Sequence, residues 1–572
     1  MITKQAILSI TDLSLSFAHD GTEKRALMNV SFELFPQEIL GIVGESGSGK
    51  SVTALSIMQL LSPQAKIDGG SIVFNDNGRQ INLINADEDD LCSIRGNDIS
   101  MVFQEPMSSL NPSQTCGKQV REAVLIHNKV GRSEAEDRVK TLFEKVELSD
   151  VDRIYTSYPH QLSGGQLQRV MIAMALINHP QIIIADEPTT ALDVTVQQSI
   201  LRLLKNISEE YKSSIIFISH DLGVIKQICD RVVVMQEGEV KEVDTVEHIF
   251  KHASHPYTQG LIACRPPFDK RMVRLPMVSD FLQRNDALPY IEGLTQHNEE
   301  FINHLEYIEK NARPLLQISG VSKSFVKRRN FFGKAIEHFK AVDDVSLQVR
   351  QGEIVGLVGE SGCGKSTLGR VILRLIEADS GSIHFEGQDV RAMDRETLRK
   401  LRKDFQIIFQ DPYSSLNPRM KIGDAILEPM DIHHLYNNKN ERKERVVELL
   451  ELVGLDADHM VRYPHQFSGG QRQRICIART LSLQPKFIVC DESVSALDVS
   501  VQAQVLNLLL DLKDKFKLSY LFISHDIGVI KFFCDNVLVM KDGSIVERGN
   551  AEDIFHRPKH AYTQKLIEAV PK

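Results

Sequence analysis

The 572-residue chain lacks several features that would assign a protein to a special class. Its eight cysteines are scattered without a C-x-x-C pair, which argues against a disulfide framework or a zinc ribbon and is typical of a cytoplasmic protein. No apolar run reaches the ~18–20 residues of a membrane-spanning helix. The formal net charge is −9 and there is no Lys/Arg-rich tail, so we expect no nucleic-acid partner.

Two copies of one pattern occupy most of the chain. The stretch "GIVGESGSGKS" begins at Gly41 and recurs as "GLVGESGCGKS" at Gly356, and "FQEPMSSLNP" recurs as "FQDPYSSLNP". The turn "LSGGQ" around Ser163 recurs as "FSGGQ" around Ser468. A repeat of this length indicates duplicated domains rather than a solenoid.

The repeat sets the predicted domain organisation. We predict a first domain over residues 1–267, a linker or tail of the first domain over 268–312, and a second domain over 313–572. Some helix is expected in "HNEEFINHLEYIEKNA" within the linker. Apolar runs such as "EILGIVG" and "SIIFIS" alternate with longer helical patterns, which predicts two α/β domains, each with a central, mainly parallel sheet.

Each copy has a glycine-rich loop between a strand and a helix, which predicts a phosphate-binding site. Glycines let backbone N–H groups turn toward phosphate oxygens, and the helix N-terminus adds a partial positive charge. The lysine would neutralise the β/γ-phosphate charge, and the following serine hydroxyl would bind Mg²⁺. A match to this loop could arise once by chance, but two matches in one chain are very improbable as chance. The predicted nucleotide-binding residues are Gly44, Ser46, Gly47, Gly49, Lys50 and Ser51, and Gly359, Ser361, Gly362, Gly364, Lys365, Ser366 and Thr367.

Two carboxylates end an apolar strand in each copy, in "IIIADE" and "FIVCDE". Alone, such a pair is usually a solvated strand end. Downstream of a phosphate loop, the first carboxylate suits Mg²⁺ and the second suits proton acceptance from an attacking water. We therefore assign Asp186 and Asp491 to Mg²⁺, and Glu187 and Glu492 to catalysis.

A histidine and a glutamine recur at fixed positions around these carboxylates. His220 and His525 follow strands in "FISHD", where a lone histidine is most often structural. Because both histidines lie at the same spacing from the catalytic glutamate, we predict that they hydrogen-bond the γ-phosphate and orient the water. Gln104 and Gln410 are predicted to reach Mg²⁺ or the water through their side-chain amides.

The duplicated Ser-Gly-Gly turn has no adjacent base, no metal ligand and no obvious packing role. It can present N–H groups and a hydroxyl at a helix N-terminus, which favours an anion. Each domain already has one phosphate loop, so a second anion site would serve another phosphate. A head-to-tail arrangement is therefore predicted, with Ser163 and Gly165 at the second phosphate loop and Ser468 and Gly470 at the first.

Together these motifs resemble the nucleotide-binding domains of ATP-binding cassette (ABC) proteins, over nearly the whole chain outside the linker. The resemblance implies tandem P-loop NTPase (ABC ATPase) domains, each with an antiparallel β subdomain and a helical subdomain, that bind ATP and Mg²⁺. It identifies "LSGGQ" and "FSGGQ" as signature motifs, and "TALD" and "SALD" as loops that couple the sites. It also implies that Phe17 and Phe325 stack on adenine.

A closer resemblance is to ATPase subunits of the oligopeptide/dipeptide/nickel uptake branch. It is carried by "QEPMSSLNP", "QDPYSSLNP", "YPHQ" and the C-terminal "HPYT" and "HAYT". Fusion of two ATPases in one chain is similar to glutathione- and microcin-type peptide importers. This implies a peripheral ATPase on the cytoplasmic face of the inner membrane, with two transmembrane permease subunits and a substrate-binding protein as partners. The cargo stays open among peptides, glutathione, microcin-like peptides and nickel chelates.

Two departures from the branch affect these expectations. Only Cys264 stands where some relatives have a cysteine cluster, so no iron–sulfur cluster is expected. Ser493 replaces the proline found at Pro188, but both glutamates and both histidines remain, so two competent ATP sites are expected. The alternative class is a soluble twin-cassette protein acting on ribosomes or DNA, which the acidic chain and mixed-charge linker disfavour.

Overall fold

The computed structural model describes residues 5–19, 22–76, 78–190, 192–283, 288–329, 335–495 and 497–570. Two α/β domains follow one another, in agreement with the predicted fold class. Each has a six-stranded sheet, a separate four-stranded sheet and a group of helices. Within the described residues, no helix combines the length and apolarity needed to cross a membrane.

Ten strands form the two sheets of the first domain. They are β1 (Leu8–His19), β2 (Thr22–Leu34), β3 (Ile39–Val43), β4 (Ala65–Asp76), β5 (Arg79–Asn82), β6 (Ile99–Val102), β7 (Ile182–Asp186), β8 (Ser214–Ile218), β9 (Arg231–Gln236) and β10 (Glu239–Thr245). The order β2-β1-β4-β5 forms an antiparallel sheet. The order β10-β9-β3-β8-β7-β6 forms a sheet that is parallel except for β10.

The helices of the first domain flank the parallel sheet or extend from it. They are α1 (Lys50–Ile57), α2 (Glu88–Ile94), α3 (Pro106–Ser109), α4 (Cys116–His127), α5 (Arg132–Lys145), α6 (Val151–Thr156), α7 (Gly164–Leu176), α8 (Val194–Tyr211), α9 (Leu222–Ile228), α10 (Val246–His252) and α11 (Pro256–Ala263). Helices α3 to α7 lie between β6 and β7 in the chain and form the predicted helical subdomain. Strands β3, β7 and β8 are buried along their whole length, as expected for parallel strands covered on both faces.

The second domain repeats this plan. Its strands are β11 (Pro314–Arg329), β12 (Ala335–Arg350), β13 (Ile354–Val358), β14 (Ser380–Phe385), β15 (Gln388–Asp389), β16 (Phe405–Ile408), β17 (Phe487–Asp491), β18 (Ser519–Ile523), β19 (Asn536–Lys541) and β20 (Ser544–Asn550). The sheet orders are β12-β11-β14-β15 and β16-β17-β18-β13-β19-β20. Both orders match those of the first domain element for element.

Helices α12 (Val278–Gln283), α13 (Leu288–Gly293) and α14 (Asn298–Asn311) belong to the linker, and α14 agrees with the helix expected there. The second domain contributes α15 (Lys365–Ile372), α16 (Arg395–Leu401), α17 (Pro412–Ser415), α18 (Ile422–Ile432), α19 (Lys439–Leu452), α20 (Gly469–Leu481), α21 (Val499–Phe516), α22 (Ile527–Phe533), α23 (Ala551–His556) and α24 (Ala561–Glu568).

The linker packs tightly against the second domain. The guanidinium of Arg271 is buried and donates hydrogen bonds to the carbonyls of Lys531 (3.0 Å) and Cys534 (2.9 Å), at the end of α22. Its other face lies over the ring of Phe301, with the guanidinium carbon 3.6 Å from the ring centroid. The amide of Asn507 exchanges two hydrogen bonds with the backbone of Leu275. The linker is therefore anchored on the second domain through Arg271 and Leu275 rather than being a loose tether.

Arg271→Ala will loosen this attachment, because two buried carbonyls at the end of α22 lose their donors. An unsatisfied buried polar group costs about 1–3 kcal/mol, so we expect the opening free energy of α22 to fall by about 3 kcal/mol. Hydrogen exchange of the α22 amides measures this. Arg274→Ala is the matched control, because Arg274 forms an exposed ion pair with Asp511 that contributes about 0–1 kcal/mol. Equal exchange in the two variants would contradict the prediction.

Candidate functional site

The two phosphate loops connect β3 to α1 and β13 to α15. Gly49 and Gly364 precede these helices with φ of 103° and 108°, a left-handed conformation that side chains disfavour. The space is also closed, because a Cβ on Gly364 would lie 1.9 Å from the carbonyl oxygen of Ala341. Glycine is thus required on both conformational and steric grounds where the chain turns into the helix.

The loop lysines lie inside the turns that precede them. Lys50 Nζ donates hydrogen bonds to the carbonyls of Gly44 and Glu45, both at 2.8 Å. Lys365 Nζ donates to the carbonyls of Gly359 (2.8 Å) and Glu360 (2.9 Å). Burial lowers the pKa of Lys50. Each ammonium is therefore held at the centre of its loop, where a polyphosphate would be bound.

The predicted Mg²⁺ residues lie together in both domains. Ser51 Oγ is 3.1 Å from Asp186 Oδ1, and Ser366 Oγ is 2.6 Å from Asp491 Oδ1. Burial raises the pKa of both aspartates. A hydroxyl and a carboxylate held together suit Mg²⁺, which prefers oxygen ligands, and a cation would offset the cost of burying the carboxylate. The donor set therefore fits the ion.

Three donors converge on one oxygen of Glu187. Gln104 Nε2 (2.9 Å), Thr190 Oγ1 (2.9 Å) and His220 Nδ1 (3.2 Å) all reach Glu187 Oε2. The backbone N–H of Glu187 donates to the carbonyl of Ile218, which fixes the residue at the end of β7. Its φ of 48° is left-handed, a conformation that is uncommon for non-glycine residues. The sequence-predicted Gln104, Glu187 and His220 are thus brought together.

Burial of the Glu187 carboxylate and the hydrogen bonds that it accepts shift its pKa in opposite directions. Burial acts to raise its pKa, but the hydrogen bond and charge of His220, helped by Thr190, outweigh burial and set the pKa at about 2. Burial also acts to lower the pKa of His220, yet the hydrogen bond to Glu187 raises it above its usual value. The pair is therefore an ionised carboxylate with a proton-donating imidazole beside it.

The second domain repeats the arrangement with one difference. Gln410 Nε2 (2.8 Å) and His525 Nδ1 (3.4 Å) reach Glu492 Oε2, and Glu492 has a φ of 47°. Ser495, which is equivalent to Thr190, instead donates to the backbone carbonyl of Glu492 (2.9 Å). Burial acts to raise the pKa of Glu492, but His525 outweighs it and the pKa is lowered. The role of Thr190 was missed in the sequence, although a hydroxyl three residues after each glutamate was the available signal.

A cavity of about 340 Å³ gathers the predicted residues of the second phosphate loop. Asp193 of the first domain also lines it, so the cavity lies between the domains. Phe339 contributes to the wall, whereas the predicted Phe325 does not. In the first domain, the predicted Phe17 is half-buried against the core. The predicted residues in the wall are Ser361, Gly362, Gly364, Lys365, Ser366, Thr367, Gln410, Glu492 and His525.

The signature turns have a packing role, so the interpretation that they lack one is wrong. Ser163 and Gln166 form a capping box at the start of α7, and Ser468 and Gln471 repeat it at α20. A Cβ on Gly165 would lie 2.9 Å from the Val196 side chain at the start of α8. The second glycine of the turn is therefore needed for close packing against the helix that follows the "TALD" loop.

In the second domain, the equivalent contact is connected to the first phosphate loop of the other domain through Asp498. A Cβ on Gly470 would lie 2.3 Å from the Val501 side chain, and Asp498 caps the same helix by accepting from the Val501 N–H (3.0 Å). The other oxygen of Asp498 accepts from the backbone N–H of Ser46, in the first phosphate loop (3.3 Å). Ser500 Oγ also donates to the carboxylate of Glu45. Ala191 and Ala496, within the two coupling loops, lie outside the described residues.

Comparison with family models identifies both the domains and their C-terminal extensions. A model described as "ABC transporter" matches residues 27–190 and 342–495. A second, described as "Oligopeptide/dipeptide transporter, C-terminal region", matches residues 241–289 and 546–572.

Similar curated proteins match over nearly the whole chain. Proteins named "Glutathione import ATP-binding protein GsiA" from Salmonella typhimurium and Escherichia coli K12 are 46% and 45% identical, over 99% of this chain and 89% of theirs. The protein of that name from Pectobacterium atrosepticum is 42% identical, over 100% of this chain and 90% of its own. A solved dimeric bacterial ABC transporter cassette is 31% identical, covering 42% of this chain and 98% of that one, with a TM-score of 0.38. The chain belongs to the ABC transporter family, as an ATP-binding, ATP-hydrolysing subunit with two cassettes in tandem.

Proposed function

We propose that the chain powers the import of peptides or peptide-like solutes, with glutathione among the candidate cargoes, from the cytoplasmic face of the inner membrane. The observation that carries this proposal is the oligopeptide/dipeptide region, which occurs at the C-terminal end of both cassettes. The names of the relatives that match nearly end to end support the glutathione class. Two permease subunits and a substrate-binding protein would complete the transporter.

At the first site, we assign the chemistry to the residues that converge on the loop. Lys50 and the loop N–H groups would bind the β- and γ-phosphates of ATP, with Ser51 and Asp186 holding Mg²⁺. When bound, Mg²⁺ would neutralise charge that develops on the phosphates. Because the donors occupy Glu187 Oε2, we assign Oε1 to accept the proton of the attacking water. His220 and Gln104 orient this carboxylate, and the second site repeats these roles with the equivalent residues.

Each site would be completed by the signature turn of the opposite cassette. Support comes from the contacts that join Gly470 to Val501, Val501 to Asp498, and Asp498 to the first phosphate loop. Asp193, the equivalent residue of the first domain, lines the cavity at the second loop. ATP bound at Lys50 would thus contact Ser468 and Gly470, and ATP at Lys365 would contact Ser163 and Gly165. Two ATP molecules would favour the closed pair, and hydrolysis would release it.

The permeases would dock beside the Gln104 and Gln410 loops. Met107 and Tyr413 occupy equivalent positions just after these glutamines, and their side chains are 57% and 56% exposed. Large exposed apolar side chains at two equivalent positions fit two similar permease surfaces. Tyr413 also lies under the guanidinium of Arg472, 4.8 Å from the ring centroid, which connects this surface to the signature helix α20.

Reconstitution of the chain with its permeases and a binding protein in lipid vesicles tests the proposal. We expect ATP hydrolysis to rise severalfold when the binding protein carries glutathione or a dipeptide, because cargo would favour the closed state. Met107→Glu with Tyr413→Glu should remove this stimulation and leave the hydrolysis rate of the isolated chain unchanged. Leu60→Glu is the matched control, since Leu60 is an exposed apolar residue outside this surface. Co-purification with ribosomes and no membrane proteins would contradict the proposal.

A further inference from the structure

A large cavity lies between the first cassette, the linker and the start of α22. Its volume is about 1000 Å³, and its wall includes Lys226 of α9, Phe250 of α10, Ile262 of α11, Phe268 of the linker and Ile291 of α13. Cavities of about 300–1,000 Å³ between domains, with apolar walls and a few charged groups, are typical small-molecule sites. Of the described residues in this wall, none belongs to a phosphate loop, so the cavity is separate from both nucleotide sites.

The second cassette shows how the equivalent groove is filled. Lys531 of α22 is the counterpart of Lys226 in the repeat, and Phe555 of α23 is the counterpart of Phe250. Phe268 of the linker contacts both of these second-domain residues. Its carbonyl accepts a hydrogen bond from Lys531 Nζ, and its ring centroid lies 5.0 Å from that atom. The same ring meets the Phe555 ring edge-on, with the centroids 6.2 Å apart. The second groove is therefore filled by an apolar ring and an acceptor oxygen from the chain itself.

The first cassette keeps the lysine and the phenylalanine without this filling. Lys226 Nζ lies 5.7 Å from the centroid of the Phe250 ring, and over the described part of the chain its ammonium forms no ion pair or hydrogen bond. The Lys226 side chain is exposed, whereas Lys531 is only 2% exposed. The groove of the first cassette thus has the same donor and the same apolar surface, and both face the cavity.

The charge of the wall favours an anion. Its described residues include four cationic and three acidic side chains. Glu247 pairs with Lys251 at 2.7 Å, and Asp526 accepts from the Val529 N–H (3.2 Å) at the start of α22. These acids are therefore already engaged, and a carboxylate would supply Lys226 with a charged acceptor, which forms a stronger hydrogen bond than a neutral one.

We propose that this cavity binds a small organic carboxylate with an apolar body. The carboxylate accepts from Lys226 and the body packs on Phe250, as the carbonyl and ring of Phe268 do in the second groove. The ligand is a separate molecule because its walls come from both cassettes and the linker and enclose a volume of small-molecule size.

Occupancy of the cavity lowers the rate of ATP hydrolysis. Leu222 and Asp526 line the cavity and closely follow His220 and His525 in the chain. A ligand that contacts both cassettes stabilises one arrangement of the domains, whereas turnover requires them to open and close. The cavity is therefore a regulatory site.

Calorimetric titration with 4-phenylbutyrate tests binding, because its phenyl ring and carboxylate reproduce the two parts of Phe268. We expect one molecule per chain, with 4-phenylbutanol and acetate binding about tenfold more weakly because each lacks one part. Lys226→Ala should weaken binding about tenfold and Lys226→Arg should restore it. Lys310→Ala is the matched control, since Lys310 forms an exposed ion pair with Glu306 outside the cavity. Equal affinity of the Lys226→Ala and unmodified chains, or no saturable binding, would overturn the proposal.

Phosphate release measures the regulatory effect. At a concentration just sufficient to saturate the unmodified chain, 4-phenylbutyrate should lower ATP turnover at least about twofold and have a much smaller effect on Lys226→Ala. Ala263→Phe, which fills the cavity from α11, should prevent 4-phenylbutyrate binding and leave ATP binding unchanged. Undiminished turnover with the cavity occupied would overturn the regulatory role. Equal inhibition of all three proteins would show action at the nucleotide sites and overturn it as well.

Discussion

Replacing Glu187 and Glu492 together by glutamine will reduce ATP turnover at least about a hundredfold and leave ATP binding intact. General-base catalysis contributes about 10²–10⁴-fold, and an amide of the same shape cannot accept the proton of the attacking water. Gln104 and His220 would still have an oxygen to bond, so the geometry of the site should persist. Phosphate release by the purified chain measures turnover, and trapping of labelled ATP measures binding.

The single variants and a surface control test whether each glutamate is the base of its own site. Glu187→Gln and Glu492→Gln should each lower turnover by at least half, because each removes the base of one site. Glu134→Gln removes only an exposed ion pair with Arg138 and should match the unmodified chain. Full turnover in both single variants would show that neither glutamate is the base.

Paired substitutions will distinguish which signature turn serves which phosphate loop. In the double glutamine background, adding Lys50→Ala with Ser468→Arg should leave one trapped ATP per chain, because both changes affect the first site. Adding Lys50→Ala with Ser163→Arg should leave none, because the arginine at Ser163 blocks the second site while the loss of Lys50 disables the first. The measurement is the stoichiometry of bound nucleotide after gel filtration.

The two combinations control for each other. Each replaces one loop lysine and one signature serine, and each serine caps an equivalent helix, α7 or α20, at a cost of about 1 kcal/mol. Equal folding of the two proteins by circular dichroism is therefore expected. If the combination with Ser163→Arg retains the ATP and the one with Ser468→Arg loses it, each signature turn serves its own domain and the head-to-tail pairing is wrong.

Residues carried by short local motifs were predictable from the sequence. The glycine loop specifies a strand–turn–helix, and the structure has Lys50 at that turn, with the next residue, Ser51, beside Asp186 at the end of β7. Glu187 and His220 end neighbouring parallel strands, and parallel strands deliver such residues to one edge of the sheet. The confirmed fold class and family follow from these same motifs. The predicted domain boundaries stay a prediction.

Residues whose roles depend on distant pairings could not be predicted. Phe339 reaches the cavity because of the register between β11 and β12, which no local pattern specifies. The need for glycine at Gly165 depends on Val196, a residue of another helix. Arg271 was within a segment of mixed charge, and only the packed structure gives its guanidinium two carbonyl partners and an aromatic face.

The docking of Arg271 and Leu275 on the second domain has a kinetic consequence for the whole ATPase. Separate cassettes must meet by diffusion, so the rate at which they form a closed pair depends on protein concentration. Here the two cassettes are covalently linked and the linker is held on the second domain, so closure is intramolecular. The linker then sets the effective concentration of one cassette at the other. The specific activity of the chain should therefore stay constant on dilution, and a protease that cuts near residues 268–270 should make it dilution-sensitive.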